Sequence, residues 1–152
     1  MKKEFMLEGM LFGHNTLYFA NPNPSPLARE FVAWYEKTFR DYPEWEADRA
    51  YFAIASYKEA VEKAAKAKNG NWPSQDEVID AMVGLSVESL GGRGSSRNDH
   101  IADQTFIQGF TTHNNNYDFV TLGHFETMYS TDLQKPPGAN FWEWINTAQF
   151  KV

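Results

Sequence analysis

Between residues 46 and 65 the larger apolar positions recur at Ala47, Ala50/Tyr51, Ile54, Val61 and Ala64/Ala65, the three-and-four spacing of a helix that buries one stripe. Alanine dominates the stretch, which raises helix propensity and lets a neighbouring element pack close. Lys58, Glu59, Glu62, Lys63 and Lys66 mark the wet side, and Glu59–Lys63 and Glu62–Lys66 have the favourable i, i+4 order. This helix is the element around which the chain is organised. Its pattern alone says only that an amphipathic helix lies on a sheet or helix layer, so function must come from what flanks it.

Upstream, residues 5–19 are apolar and β-prone, broken at Gly9 and at Gly13-His14-Asn15. They predict a buried strand around residues 9–12 and a second extended piece at 16–19. Asn21-Pro22-Asn23-Pro24-Ser25-Pro26 is a turn-forming connector, because each proline turns the preceding residue away from helix. Ser25 then caps a helix with Pro26 at its first position, and Leu27, Phe31, Trp34/Tyr35 and Phe39 share one face. Asp41-Tyr42-Pro43 ends that helix, and Asn69-Gly70-Asn71 ends the long one.

Downstream, Ser74-Gln75-Asp76-Glu77 has the form of a capping box. The short helix it opens points Val78, Ile79, Met82 and Val83 inward and stops at Gly84. Residues 85–90 predict a weak strand, and Gly91-Gly92-Arg93-Gly94-Ser95-Ser96 a flexible turn. Residues 104–112 and 118–125 form a hairpin across His113-Asn114-Asn115-Asn116. Pro136-Pro137-Gly138 precedes a short aromatic helix, Phe141-Trp142-Glu143-Trp144-Ile145. The order is strand, three helices, then antiparallel hairpin, an α/β layer with too few strands for a complete doubly wound sheet.

Composition narrows the classes. The 152 residues hold one domain or part of one, and 16% aromatic content supplies large buried areas. The net charge of −6 and the lack of any Lys/Arg block argue against a nucleic-acid partner. There is no cysteine, hence neither a disulfide framework nor a thiolate metal site. No apolar run approaches the ~20 residues that span a bilayer. The first ten residues carry Lys2 and Lys3 without the long apolar segment of a secretion signal, and read as the lead-in to a strand.

Candidate chemistry is sparse. His14, His100, His113 and His124 lack metal-ligand spacing, so no metal and no cofactor is expected. The glycine-rich run 91–94 lacks a phosphate loop's lysine and its strand–loop–helix order, so a turn is the simpler account. Glu44, Glu46 and Asp48 crowd a helix start, where acids serve the dipole before they serve acid–base work.

A family resemblance covers most of the chain. Glu8-Gly9-Met10-Leu11, the Asn/Pro connector and Arg29-Glu30-Phe31-Val32-Ala33-Trp34-Tyr35 resemble the C-terminal part of type I periplasmic binding proteins. These are the branched-chain amino acid, amide and urea receptors of ABC transporters. Ala50-Tyr51-Phe52-Ala53, the alanine-rich helix, the capped helix from Ser74 and Ser96-Arg97-Asn98-Asp99-His100 resemble successive segments of that family, in order. Phe52 stands where the family carries an aspartate, and Glu46 where it carries a cleft-lining aromatic.

The resemblance implies a partial type I periplasmic-binding-protein fold without its first lobe, residues 1–152 forming one C-terminal portion of a solute-binding domain. It implies no enzyme, but binding of a small polar solute such as an amino acid or amide, delivered to a membrane permease outside the cytoplasm. Trp45, Glu46, Arg49 and His14 are the expected ligand-binding residues, and the isolated chain is expected to form homo-oligomers. A stand-alone α/β sensor or interaction module is the alternative.

Overall fold

The computed structural model describes residues 1–149 apart from Thr16 and Pro137, together with every side chain in that span except those of His14, Asn15, Asp132 and Leu133. Strand β1 (Leu11–Asn15) is followed by helices α1 (Pro26–Phe39), α2 (Trp45–Ala67) and α3 (Gln75–Met82). Then come strands β2 (Ser86–Ser89), β3 (Gly92–Ser96), β4 (Ala102–Asp103), β5 (Thr105–Thr112) and β6 (Thr121–Tyr129), and a last helix α4 (Phe141–Thr147). The strands make two antiparallel sheets, β1-β5-β6 and β2-β3-β4.

Local capping sets the helix starts. Ser25 Oγ accepts from the Ala28 amide at 3.1 Å, with Pro26 in the first turn of α1. Ser74 and Glu77 close the capping box of α3 in both directions. Asn140 accepts from the Trp142 and Glu143 amides and opens α4. The β5–β6 turn is organised by Asn115, whose side-chain amide donates to Thr112 O, Phe119 O and Thr121 Oγ1.

The long helix is turned from its predicted orientation. Its buried row is Asp48, Phe52, Ser56, Ala60 and Ala64, spaced by four, whereas Ile54 is 72% exposed. The cause lies across the interface: a Cβ on Gly94 would come within 2.5 Å of Phe52 Cε2, so the Phe52 ring occupies the space a side chain would need there. Gly94 belongs to β3, and the run 92–96 predicted as a flexible turn is therefore a strand, paired with β2 from Ser86↔Ser95 to Ser89↔Gly92. The weak strand expected at residues 85–90 is present as β2, whereas β3, β4 and their pairing into a second sheet are additions to the predicted order.

Smaller differences follow. Strand β1 begins two residues later than expected, and residues 17–20 form no strand; Thr16 lies outside the described residues. Ile79 faces outward, while Val78 and Ala81 are buried against Ala60 and Ala64. On α2, Glu62 pairs with Lys58 at 3.3 Å, and Lys63 donates to Ala81 O at 3.0 Å, in place of the expected Glu62–Lys66 and Glu59–Lys63 pairs. Lys63 thereby satisfies a carbonyl in the last turn of α3.

A second buried cluster, Leu17, Ala28 and Leu90, is wrapped by Leu27, Phe31, Val32, Ala47 and Tyr51. It ties the connector, α1, the start of α2 and the β2–β3 turn together, and it positions both candidate sites below.

Candidate functional site

The start of α2 gathers most of the expected ligand-binding residues. Trp45 is half-buried and Arg49 is exposed, with the guanidinium carbon 5.7 Å from the Trp45 ring centroid. That distance is within the range of a cation–π contact. Glu46, between them in sequence, is exposed in the first turn of α2, where a carboxylate complements the helix dipole. The N-cap residue, Glu44, makes no side-chain cap bond. The trio presents one aromatic surface, one cation and one carboxylate within a turn and a half. His14 lies on β1, opposite Ile107 in the β5 register, away from α2 in the chain order; its side chain is outside the described residues.

One turn inward, a carboxylate the sequence pattern left with the helix-dipole acids proves to be wholly buried. Asp48 is 0% exposed; it accepts from Ser89 Oγ through Oδ1 and from Gln104 Nε2 at 3.4 Å through Oδ2. It joins α2 to β2 and to the residue just before β5. The available signal was its place at the head of the four-spaced row Asp48, Phe52, Ser56, Ala60, Ala64.

Two concavities lie near these elements, and neither is lined by Trp45, Glu46 or Arg49. The first, about 290 Å³, opens beneath the Asn/Pro connector. The second, about 450 Å³, is a groove between α2 and α3 walled by Tyr57, Trp72, Ile79 and Met82. The connector residues lining the first were legible in the sequence only as a turn.

The histidines remain dispersed. His113 Nε2 lies 2.8 Å from Met6 O, and His100 sits at a left-handed loop position. Among the described residues no group of three or more His, Cys, Asp or Glu is placed to hold a metal ion. None of the helices is long and apolar enough to cross a membrane, again among the described residues.

Residues 3–109 match the family model of periplasmic binding proteins, and the chain belongs to that family. The family is one of solute-binding receptors. No curated protein matches the chain. Among solved structures, it is similar to an ABC-type branched-chain amino acid transporter protein from Rhodopseudomonas palustris CGA009. That likeness has 22% identity and a TM-score of 0.67, over 81% of this chain and 31% of that one.

A solute-binding protein of an ABC transporter from Rhodopseudomonas palustris BisB5, in complex with 3,4-dihydroxybenzoic acid, is 25% identical. Its TM-score is 0.58, over 86% of this chain and 33% of that one. A leucine-binding protein from Thermotoga maritima MSB8 is 16% identical, with a TM-score of 0.57 over 78% of this chain and 31% of that one. The chain spans 31–33% of the length of the solved structures it matches. The fold is thus a partial type I periplasmic-binding-protein fold, as the resemblance implied.

Proposed function

We propose that residues 1–152 act as the C-terminal portion of a type I solute-binding protein that captures a small polar solute for an ABC transporter. The observation that carries this is the family match over residues 3–109. In this account the start of α2 is one wall of an interlobe cleft: Trp45 supplies a flat apolar surface, Glu46 an acceptor for a cationic or donor-rich end, and Arg49 a cation held by the Trp45 ring. His14 is assigned to the same site from the resemblance. The protein works outside the cytoplasm with a membrane permease, and catalyses nothing.

The solute is an amino acid or amide-like molecule. The similar structures named for leucine, for branched-chain amino acids and for a complex with dihydroxybenzoic acid support a small solute with polar ends. Glu46→Gln tests the assignment, because it keeps shape and removes charge. If Glu46 reads the ligand, a charge-assisted bond is lost and affinity falls about tenfold or more. If it only complements the helix dipole, affinity stays and stability falls slightly. Equal solute affinities for the two proteins, by calorimetry, end the role of Glu46.

A further inference from the structure

The cavity beneath the Asn/Pro connector is a different kind of place from the α2 start. Its floor is apolar and closed: Leu17, Leu90 and Ile107 are each 2% exposed, and Ala28 and Tyr18 are buried beside them. Its mouth is polar, formed by Asn21, Asn23, Ser25 and Thr127. Among the described residues, none of those lining it is charged. Its volume, about 290 Å³, is at the lower end of small-molecule pockets, the size for one ring or a short branched chain.

Local hydrogen bonds decide which polar groups at the mouth keep a donor for a guest. Asn21 Oδ1 accepts the Asn23 amide at 2.9 Å, a local turn within the connector that leaves the Asn21 NH2 able to donate. Ser25 Oγ accepts the Ala28 amide, which leaves its hydroxyl hydrogen to donate. The Tyr18 hydroxyl accepts the Leu122 amide at 2.8 Å and is committed to the sheet. The start of α1 offers an anion little, because Ser25 already occupies one amide and Pro26 has no N–H.

We propose that this cavity is a second ligand site, for an uncharged solute with an apolar body and an amide or hydroxyl end. An ion entering it would give up its hydration with no opposite charge among the described lining residues to meet, a loss that disfavours carboxylates and ammonium groups alike. A neutral amide buries its apolar part against Leu17, Leu90 and Ile107 and exchanges hydrogen bonds with Asn21, Asn23 and Ser25. This site is separate from the α2 start, none of whose residues Trp45, Glu46 and Arg49 lines it.

The test uses the full chain and three one-ring probes of matched size: benzamide, benzoate and benzylammonium, followed by amide chemical-shift titration. Expected are saturable benzamide shifts at Leu17, Ala28, Leu90 and Gly92, with both ions weaker by about tenfold or more. Thr127→Trp, an aromatic tolerated in a strand, plugs the mouth and weakens benzamide by a similar factor. Asn21→Asp keeps the acceptor for the Asn23 amide, adds one negative charge, and raises benzylammonium to the level of benzamide or beyond. The proposal is overturned if no saturable shifts appear at those amides, if either ion matches benzamide on the natural chain, or if neither variant alters binding. Benzamide shifts confined to residues 45–49 would also overturn it while leaving the receptor function standing.

Discussion

Replacing Asp48 is the sharpest probe of how α2 is held. Asp48 is fully buried, and Ser89, 1% exposed, gives its hydroxyl hydrogen to it. A hydrogen bond to a charged acceptor contributes about 1.5–3 kcal/mol, and a buried donor left without a partner costs about 1–3 kcal/mol. The Gln104 contact, at 3.4 Å, lies at the long end of hydrogen-bond geometry and adds little. Removing the carboxylate also relieves its own desolvation, so these contributions do not simply add. For Asp48→Ala the net loss is about 2–4 kcal/mol on these magnitudes.

Asp48→Asn is the discriminating partner. Its carbonyl oxygen can still accept from Ser89. Gln104 Oε1 is buried without a hydrogen-bond partner among the described residues, so a flip of the Gln104 amide gives the introduced NH2 an acceptor. The Asn variant should therefore lose less than about 1 kcal/mol. Urea unfolding followed by tryptophan fluorescence measures both, with slopes of about 1–3 kcal/mol/M turning the Ala loss into a midpoint shift near 1 M or more. An Ala variant as stable as the natural chain, or an Asn variant as unstable as Ala, would refute the reasoning.

Three further outcomes are expected. Gly94→Ala places a methyl 2.5 Å from Phe52 Cε2 and should cost about 1–3 kcal/mol in overpacking, partly recovered by Phe52→Leu; unchanged urea midpoints would show that Phe52 does not sit on Gly94. Glu77 is held down at about 2 by the Lys68 ammonium, then by the Ser74 amide and hydroxyl, so its contribution is complete above the ordinary carboxylate range and is lost as pH falls from about 4.5 to about 2. Carboxyl carbon NMR should show that depressed midpoint, rising in Lys68→Met; an ordinary midpoint in the natural chain contradicts it. Trp34, Phe39 and Ile54 leave apolar surface exposed on α1 and α2, so the isolated chain should self-associate, and a monodisperse monomer at micromolar concentration by light scattering would disprove this.

What the sequence made legible was local. The caps at Ser25 and Ser74, the break at Asn69-Gly70 and the Asn-rich turn of β5–β6 are governed by residues within a few positions of one another. Strand β3 was hidden because Gly92-Arg93-Gly94-Ser95-Ser96 has turn composition; what makes it a strand is its pairing with β2 and the seat it offers Phe52. The same distant contact turns α2 so that Phe52, rather than Ile54, is buried. The four-spaced row hinted at Asp48's burial, but its anchoring role was illegible because its partners lie 41 and 56 residues away. At the candidate site, Trp45, Glu46 and Arg49 were expected as ligand-binding residues but the contact between Trp45 and Arg49 was not, and the connector's cavity depended on Leu90 and Ile107 arriving from the far half of the chain.

The central claim is that the start of α2 is a solute-binding wall. Titrating the labelled full chain with an amino acid and amide panel, read by amide chemical shifts, tests it most directly. A receptor of micromolar affinity has about 8 kcal/mol to distribute over its cleft, and half of that corresponds to a dissociation constant near ~1 mM. The account predicts saturable shifts centred on Trp45, Glu46 and Arg49 with a millimolar midpoint for at least one solute, diminished in Glu46→Gln. Saturable binding of these solutes elsewhere with residues 45–49 unmoved, or no binding by any member of the panel at tens of millimolar, would contradict it.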